Sequence, residues 1–156
     1  MPPDRTHVEA AIAQSTGQLL LKAARLLDET ALARIRAEPG APPIRPAHTR
    51  LFPHLSVDGI RITTIAARLG VTKQAVAALV ADLMDWGMVE QVPDPTDGRA
   101  RLVRYSEQGY GWLMHGLGML ASLEREVAHE VGPEAMATFK QVLAAWLARL
   151  EREPSP

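Results

Sequence analysis

The chain contains no cysteine. Disulfides, thiolate metal sites and thiol-based redox sensing are therefore excluded. Aromatic residues are scarce, at 4% of 156 positions, so the core must rest on Ala, Leu, Val and Ile, and Ala and Leu favour helix. Long hydrophobic runs are also missing. The most apolar early segment, Leu19 to Leu27, is broken by Lys22 and Arg25 and followed by Asp28, too short and too charged to span a membrane. The N-terminal stretch MPPDRTHVEA has no apolar segment of signal-peptide type. The expectation is a soluble, cytoplasmic protein with no membrane partner. The histidines His7, His48, His54, His115 and His129 are scattered, with no i,i+4 pair, so no metal site is expected. There is no Gly-rich phosphate loop and no nucleophile–base arrangement, so neither a cofactor nor an enzymatic activity is expected.

The net charge of −1 argues against a simple polycationic DNA coat, but the charge is unevenly placed. Residues 45–104 hold 8 Arg/Lys against 6 Asp/Glu, and the remainder holds 9 against 12. A modestly basic middle between acidic flanks fits specific nucleic-acid binding better than nonspecific coating.

Apolar residues at Val8, Ile12, Leu19, Ala23, Leu26, Leu27 and Ile35 recur mostly three, four or seven apart, which predicts one long amphipathic helix over 8–36. The stretch EPGAPPIRP (38–46), with four prolines in nine residues, predicts a stiff connector. A short helix is expected from about Ala47 to Val57, kinked at Pro53. Two helical patterns follow, TTIAARLG (63–70) and TKQAVAALVADLMDWG (72–87), the second capped by Gly87. The period then changes. Met88–Val92 and Arg101–Tyr105 read as two strands of a hairpin around PDPTDGRA, expected to be a long, mobile tip. After Ser106, a candidate N-cap, a second long helix runs to about Val131 and stops at Gly132-Pro133. The last helix carries Met136, Phe139, Val142, Leu143, Trp146, Leu147 and Leu150, and the tail 151–156 is expected to fray. The fold class is thus mainly α with a small β-hairpin. The terminal helices show an apolar face outside the compact middle, and a second copy of the chain would bury it. Residues 45–105 are read as one domain, and 1–44 with 106–156 as a helical dimerisation region.

The centre has the spacing of a helix-turn-helix: Ala66, three residues to Gly70, five more to Val76. Ala66 permits a close helix crossing, Gly70 takes the turn, and Val76 packs the second helix onto the first. With Val76, Leu79, Val80 and Leu83 inward, the opposite side presents Lys73, Gln74, Ala77, Ala78 and Ala81. Such a helix is offered to the DNA major groove. Thr72 is an N-cap whose hydroxyl suits a phosphate, Lys73 can neutralise one, Gln74 can bond adenine through donor and acceptor, and Ala77 can touch a thymine methyl. Each of these residue types also serves as an ordinary solvated helix residue. In the hairpin, Arg99 and Arg101 suit a narrow minor groove, with Asp97 either orienting the Arg99 guanidinium or bracing the tip. Asp94 and Asp97 imitate a catalytic carboxylate pair, but a turn gives them a structural role.

Residues 69–109 resemble the MarR family of transcription regulators. The resemblance rests on Asp94-Pro95-Thr96-Asp97-Gly98-Arg99 and on Ser106-x2-Gly109 six residues later. Tyr105 and Ser106 depart from that family's commoner aliphatic residue and threonine. The resemblance implies a triangular homodimer with two winged helix-turn-helix domains and long terminal dimerisation helices. It maps Thr72, Lys73 and Gln74 onto the start of the recognition helix, and Asp97 and Arg99 onto the wing pair. It also implies a small aromatic or phenolic ligand, for which His48, Arg50 and Trp112 are positions to examine, each with a plainer reading as solvated loop, solvated helix face and packed core. The function expected is a sequence-specific, homodimeric repressor of a pseudo-palindromic operator in double-stranded DNA, relieved by such a ligand. The rival readings are a winged-helix protein-docking module and an architectural DNA binder without operator specificity.

Overall fold

The computed structural model describes residues 4–152. They form two compact units, one ending at Leu117 and one beginning at Gly118. The chain runs α1 (Arg5–Gln14), α2 (Thr16–Arg36), α3 (Pro46–Thr49), a 3-10 turn (Phe52–His54), β1 (Ile60–Arg61), α4 (Ile62–Leu69), α5 (Lys73–Asp85), β2 (Val89–Asp94), β3 (Asp97–Tyr105), α6 (Glu107–Val131) and α7 (Pro133–Leu150). The fold is mainly helical with a small antiparallel sheet of order β1-β3-β2.

The single helix expected over 8–36 is two helices. Ser15 is extended, and its hydroxyl accepts the Gln18 N–H, capping α2. A serine that bonds its own backbone competes with the helical ladder, and here it interrupts the pattern without changing its period. The helix expected over 47–57 is likewise divided. Pro46 opens α3, Pro53 sits in the first turn of the 3-10 segment, and Leu51 between them is fully buried. The connector 38–45 is irregular, as Pro39, Pro42 and Pro43 dictate.

The core of the first unit gathers Leu51, Ile65, Val76, Val80, Leu83, Met88, Val89, Val103 and Tyr105, joined by Leu32 from α2 and Ile44 from the connector. Each such aliphatic side chain contributes about 1.5–3 kcal/mol by leaving water. Ile65 and Ala66 of α4 face Val76, Val80 and Leu83 of α5, and the two axes turn through 117°. The turn between them requires Gly70 at φ +65°, a left-handed conformation that a Cβ disfavours. At the far end of α5, Met88 N–H bonds the Leu83 carbonyl and Gly87 N–H bonds that of Met84. This paired closure returns Met88 to the core and launches β2.

The hairpin differs from expectation at its tip. The strands extend beyond Val92 and Arg101, and Asp94 pairs with Asp97 across only Pro95-Thr96. Pro93 pairs with Arg101, so Gly98, Arg99 and Ala100 bulge from the ladder on one side. The third strand, β1, was not expected: Ile60 and Arg61 pair with Val103 and Leu102.

The joint from wing to α6 explains the Ser106-x2-Gly109 spacing. The Ser106 hydroxyl accepts the Gly109 N–H and donates to the Gly87 carbonyl. A Cβ on Gly109 would overlap the Met88 carbonyl, so only glycine fits there. In the second unit, Lys140 of α7 pairs with Glu124 of α6, while Phe139, Val142, Leu143, Trp146, Leu147 and Leu150 are exposed. The tail expected to fray lies, from residue 153, outside the described residues. Among the described residues no single helix is long and apolar enough to cross a membrane.

Candidate nucleic-acid interface

The N-terminal turn of α5 is built to be presented. Thr72 is extended, and its hydroxyl oxygen accepts the Ala75 N–H at 3.1 Å. That bond satisfies one of the free amides at the helix start and fixes where the helix begins. Thr72, Lys73 and Gln74 are exposed and Ala77 is half-buried, while Val76, Val80 and Leu83 hold the opposite side in the core. The exposed turn carries the positive end of the helix dipole and a lysine, which together attract anions.

In the wing, Asp97 braces the backbone and does not pair with the Arg99 guanidinium. Its Oδ1 accepts the Arg99 backbone N–H at 3.1 Å, and its Oδ2 lies 3.7 Å from Arg61 Nη2. Arg99 is exposed within the bulge, and among the described residues its guanidinium has no ion-pair partner. Arg101 is exposed on β3, on the same face as Val103 and Tyr105 but beyond the end of the core they enter.

The brace below the tip centres on Asp94, only 5% exposed. Its Oδ1 accepts the Thr96 N–H at 2.8 Å and the Thr96 hydroxyl at 2.7 Å. Its Oδ2 accepts Arg61 Nε at 2.7 Å and lies 2.6 Å from Arg61 Nη2. The Thr96 bonds first, then Arg61, hold the Asp94 carboxyl down at about 2. Thr96 and Asp94 were legible as turn residues. Arg61 was not, because its strand is two residues long and its partners are 33 and 36 positions away. Arg104, in turn, is engaged across the sheet by Glu90 at 2.8 Å.

The three residues considered for a ligand do not share one setting. His48 is a correction to the solvated-loop reading: it is wholly buried and bonded to Arg45 and Asp82. Arg50 is exposed, and Trp112 is half-buried against the core. An open cleft of about 540 Å³ lies instead on α6 in the second unit, lined by Ser122, Arg125, Glu126, His129 and Glu130. Among the described residues no group of three or more His, Asp or Glu is placed to hold a metal.

Comparison with known proteins agrees with this construction. Residues 44–100 match the model of the MarR family. The HTH-type transcriptional regulator PetP of Rhodobacter capsulatus is 33% identical over 103 residues, 65% of this chain and 61% of PetP. The chain therefore spans about three-fifths of the length of that relative. Among solved structures, a mutant MarR from E. coli is similar with a TM-score of 0.67 at 19% identity, over 85% of this chain and 96% of that one. The transcriptional repressor CouR, bound to a 23-mer DNA duplex, is similar with a TM-score of 0.58 at 20% identity, over 90% and 95% of the two chains. The shared fold is that of winged helix-turn-helix proteins. The winged helix-turn-helix, residues 44–100, is thus similar to the MarR family, and the chain shares the fold of MarR structures.

Proposed function

We propose that the protein is a cytoplasmic, homodimeric, sequence-specific DNA-binding regulator that represses by occluding a pseudo-palindromic operator. The observation that carries this reading is the pairing of two exposed elements on one rigid frame. The N-terminal turn of α5 is exposed, and the same helix closes into β2, whose hairpin lifts Arg99 out of the ladder. In this reading Lys73 meets a phosphate, Gln74 an adenine edge and Ala77 a thymine methyl. Thr72, whose hydroxyl already accepts from Ala75, still has its hydrogen to donate to a phosphate. Arg99 enters the adjacent minor groove with Arg101 behind it, and Asp97 shapes the tip that carries them. The DNA-bound state of CouR, a protein of the same fold, supports the placement.

The dimer follows from the terminal helices, read as the dimerisation region 1–44 with 106–156 around the DNA-binding domain 45–105. Ile12, Leu19 and Leu21 at one end and Val142, Trp146 and Leu147 at the other are exposed apolar side chains that a second copy would cover. Two recognition helices about 34 Å apart would read successive major grooves. Relief by a small aromatic or phenolic ligand belongs to the same reading, with Arg50 and Trp112 the accessible candidates, since His48 is committed to the core. The experiment is selection from a random-sequence duplex library by the purified protein at about 150 mM salt, where nonspecific contacts are largely screened. An enriched inverted repeat of about 15–20 base pairs is expected from the half-site spacing. Enrichment of no sequence would contradict the reading.

A further inference from the structure

One polar cluster beside α5 is not used by the DNA contacts above. His48, on α3, is 0% exposed. Its Nδ1 accepts the Arg45 backbone N–H at 3.1 Å, so Nδ1 bears no hydrogen and Nε2 carries it. That Nε2 donates to Asp82 Oδ2 at 3.0 Å, and Arg45 Nη2 donates to the same oxygen at 2.9 Å. Asp82 belongs to the last turn of α5. The Trp86 ring, at the C-cap of α5, meets the His48 ring edge-on with centroids 4.9 Å apart. The Asp82 carboxyl is held below the usual range, first by the His48 hydrogen bond and then, against the cost of desolvation, by the nearby charge of Arg45.

The other side of the same segment is held from α2. Arg36 Nε and Nη2, in the last turn of α2, both donate to the Ile44 carbonyl, at 3.0 and 2.6 Å. The Ile44 side chain is buried in the core. Pro42, Pro43 and Pro46 restrict the backbone around it. Residues 44–48 are thus a stiff strap gripped by α2 on one side and by α5 on the other.

We propose that His48, assisted by Arg45, is a positioning residue for DNA reading: through Asp82 it fixes the C-terminal end of α5 to the proline-stiffened strap 44–48, which Arg36 ties to α2. The proposal rests on the assignment of α5 as the DNA-reading helix. An imidazole suits the task because one rigid ring accepts at one edge and donates at the other. Removing Asp82 leaves the buried Nε2–H of His48 unsatisfied, and removing the imidazole takes the acceptor from the Arg45 backbone N–H, so either change drives local rearrangement at that end of α5. The contact-bearing turn at Lys73 and Gln74 lies at the opposite end of the same rigid rod, so a tilt at Asp82 displaces it.

The test compares wild type, Asp82→Ala, Arg45→Ala, His48→Gln and the Asp82→Ala/His48→Gln pair. Fluorescence anisotropy measures binding of each to the operator that wild type selects and to a random duplex of equal length. The expected result is a fall of about tenfold in the operator-to-random affinity ratio for Asp82→Ala and His48→Gln, the size of one lost base contact. The double variant should fall no further than either single one, because the residues act as a unit. Random-duplex binding should stay within about twofold, since the loss is of base reading and not of phosphate contacts. Should His48→Gln fail to fold, Asp82→Ala and Arg45→Ala, at partly exposed positions, decide. Folded variants that keep the wild-type ratio, or that lose operator and random binding equally, would overturn the proposal. A wild-type protein with no operator preference would instead sink the DNA-reading assignment itself, and this proposal with it.

Discussion

The Asp94 carboxylate takes hydrogen bonds from the amide and hydroxyl of Thr96 and from the guanidinium of Arg61. Its value of about 2 lies below the ordinary 3.8, so this clasp stabilises the fold fully above about pH 4 and is lost as the pH falls through about 2. Arg61→Ala should lower Tm and begin acid unfolding at higher pH, as followed by circular dichroism across a pH series. At the alkaline edge the sign reverses. Burial, with Tyr110 nearby, pushes the Tyr105 hydroxyl up to about 12, so its contribution is complete below 10 and is lost as the pH rises through about 12. The exposed residues of the interface should behave otherwise. Lys73→Ala should leave Tm unchanged and reduce the slope of log affinity against log salt by about 1, the signature of one phosphate contact.

The elements meet at places where one residue type is required. Gly70 holds the left-handed turn between α4 and α5. Gly70→Ala should cost about 1–2 kcal/mol, the price of a Cβ in that conformation, measured by urea denaturation. Thr72→Ala should cost about 1 kcal/mol through loss of the cap on α5. Both helices of this pair were legible in the sequence because their apolar period is local and their caps stand at the boundaries. The break at Ser15 was not legible, since Ile12 and Leu19 keep helical spacing across it. Nor was β1, whose two residues exist as a strand only through pairing with β3 some forty positions later. The wing tip was read as a long loop because its Pro, Asp and Gly residues announce a turn without revealing that Asp94 and Asp97 pair. His48 was read as a solvated loop residue for a related reason. Its partner Asp82 is 34 positions away, and nothing near His48 in the sequence marks that contact.

For the whole molecule, the exposed apolar residues of the terminal helices are the strongest argument about assembly. Leu147 is 56% exposed, Val142 58% and Leu21 69%, while the core of the first unit is closed. A monomer with those faces in water would associate. Sedimentation velocity should give twice the chain mass. Trp146→Glu should shift the protein toward the monomer and weaken operator binding more than random-duplex binding, because a single half-site is then engaged. The helix-turn-helix and the hairpin were legible from the sequence, since the helix spacing and the turn residues are compact motifs. The frame that holds it, from Arg36 through the strap to Asp82 and from Arg61 to Asp94, became visible only with the fold.

The central claim is that α5 reads bases and the wing anchors beside them. The measurement that tests it most directly is selection of genomic DNA fragments at about 150 mM salt by wild type, Gln74→Ala and Arg99→Ala in parallel. The account predicts an inverted repeat for wild type. Gln74→Ala should lose preference at one position of each half-site, by about 1–3 kcal/mol, and Arg99→Ala should lose preference for the flanking narrow-groove sequence. Identical sequence profiles for all three proteins, or none for wild type, would contradict it.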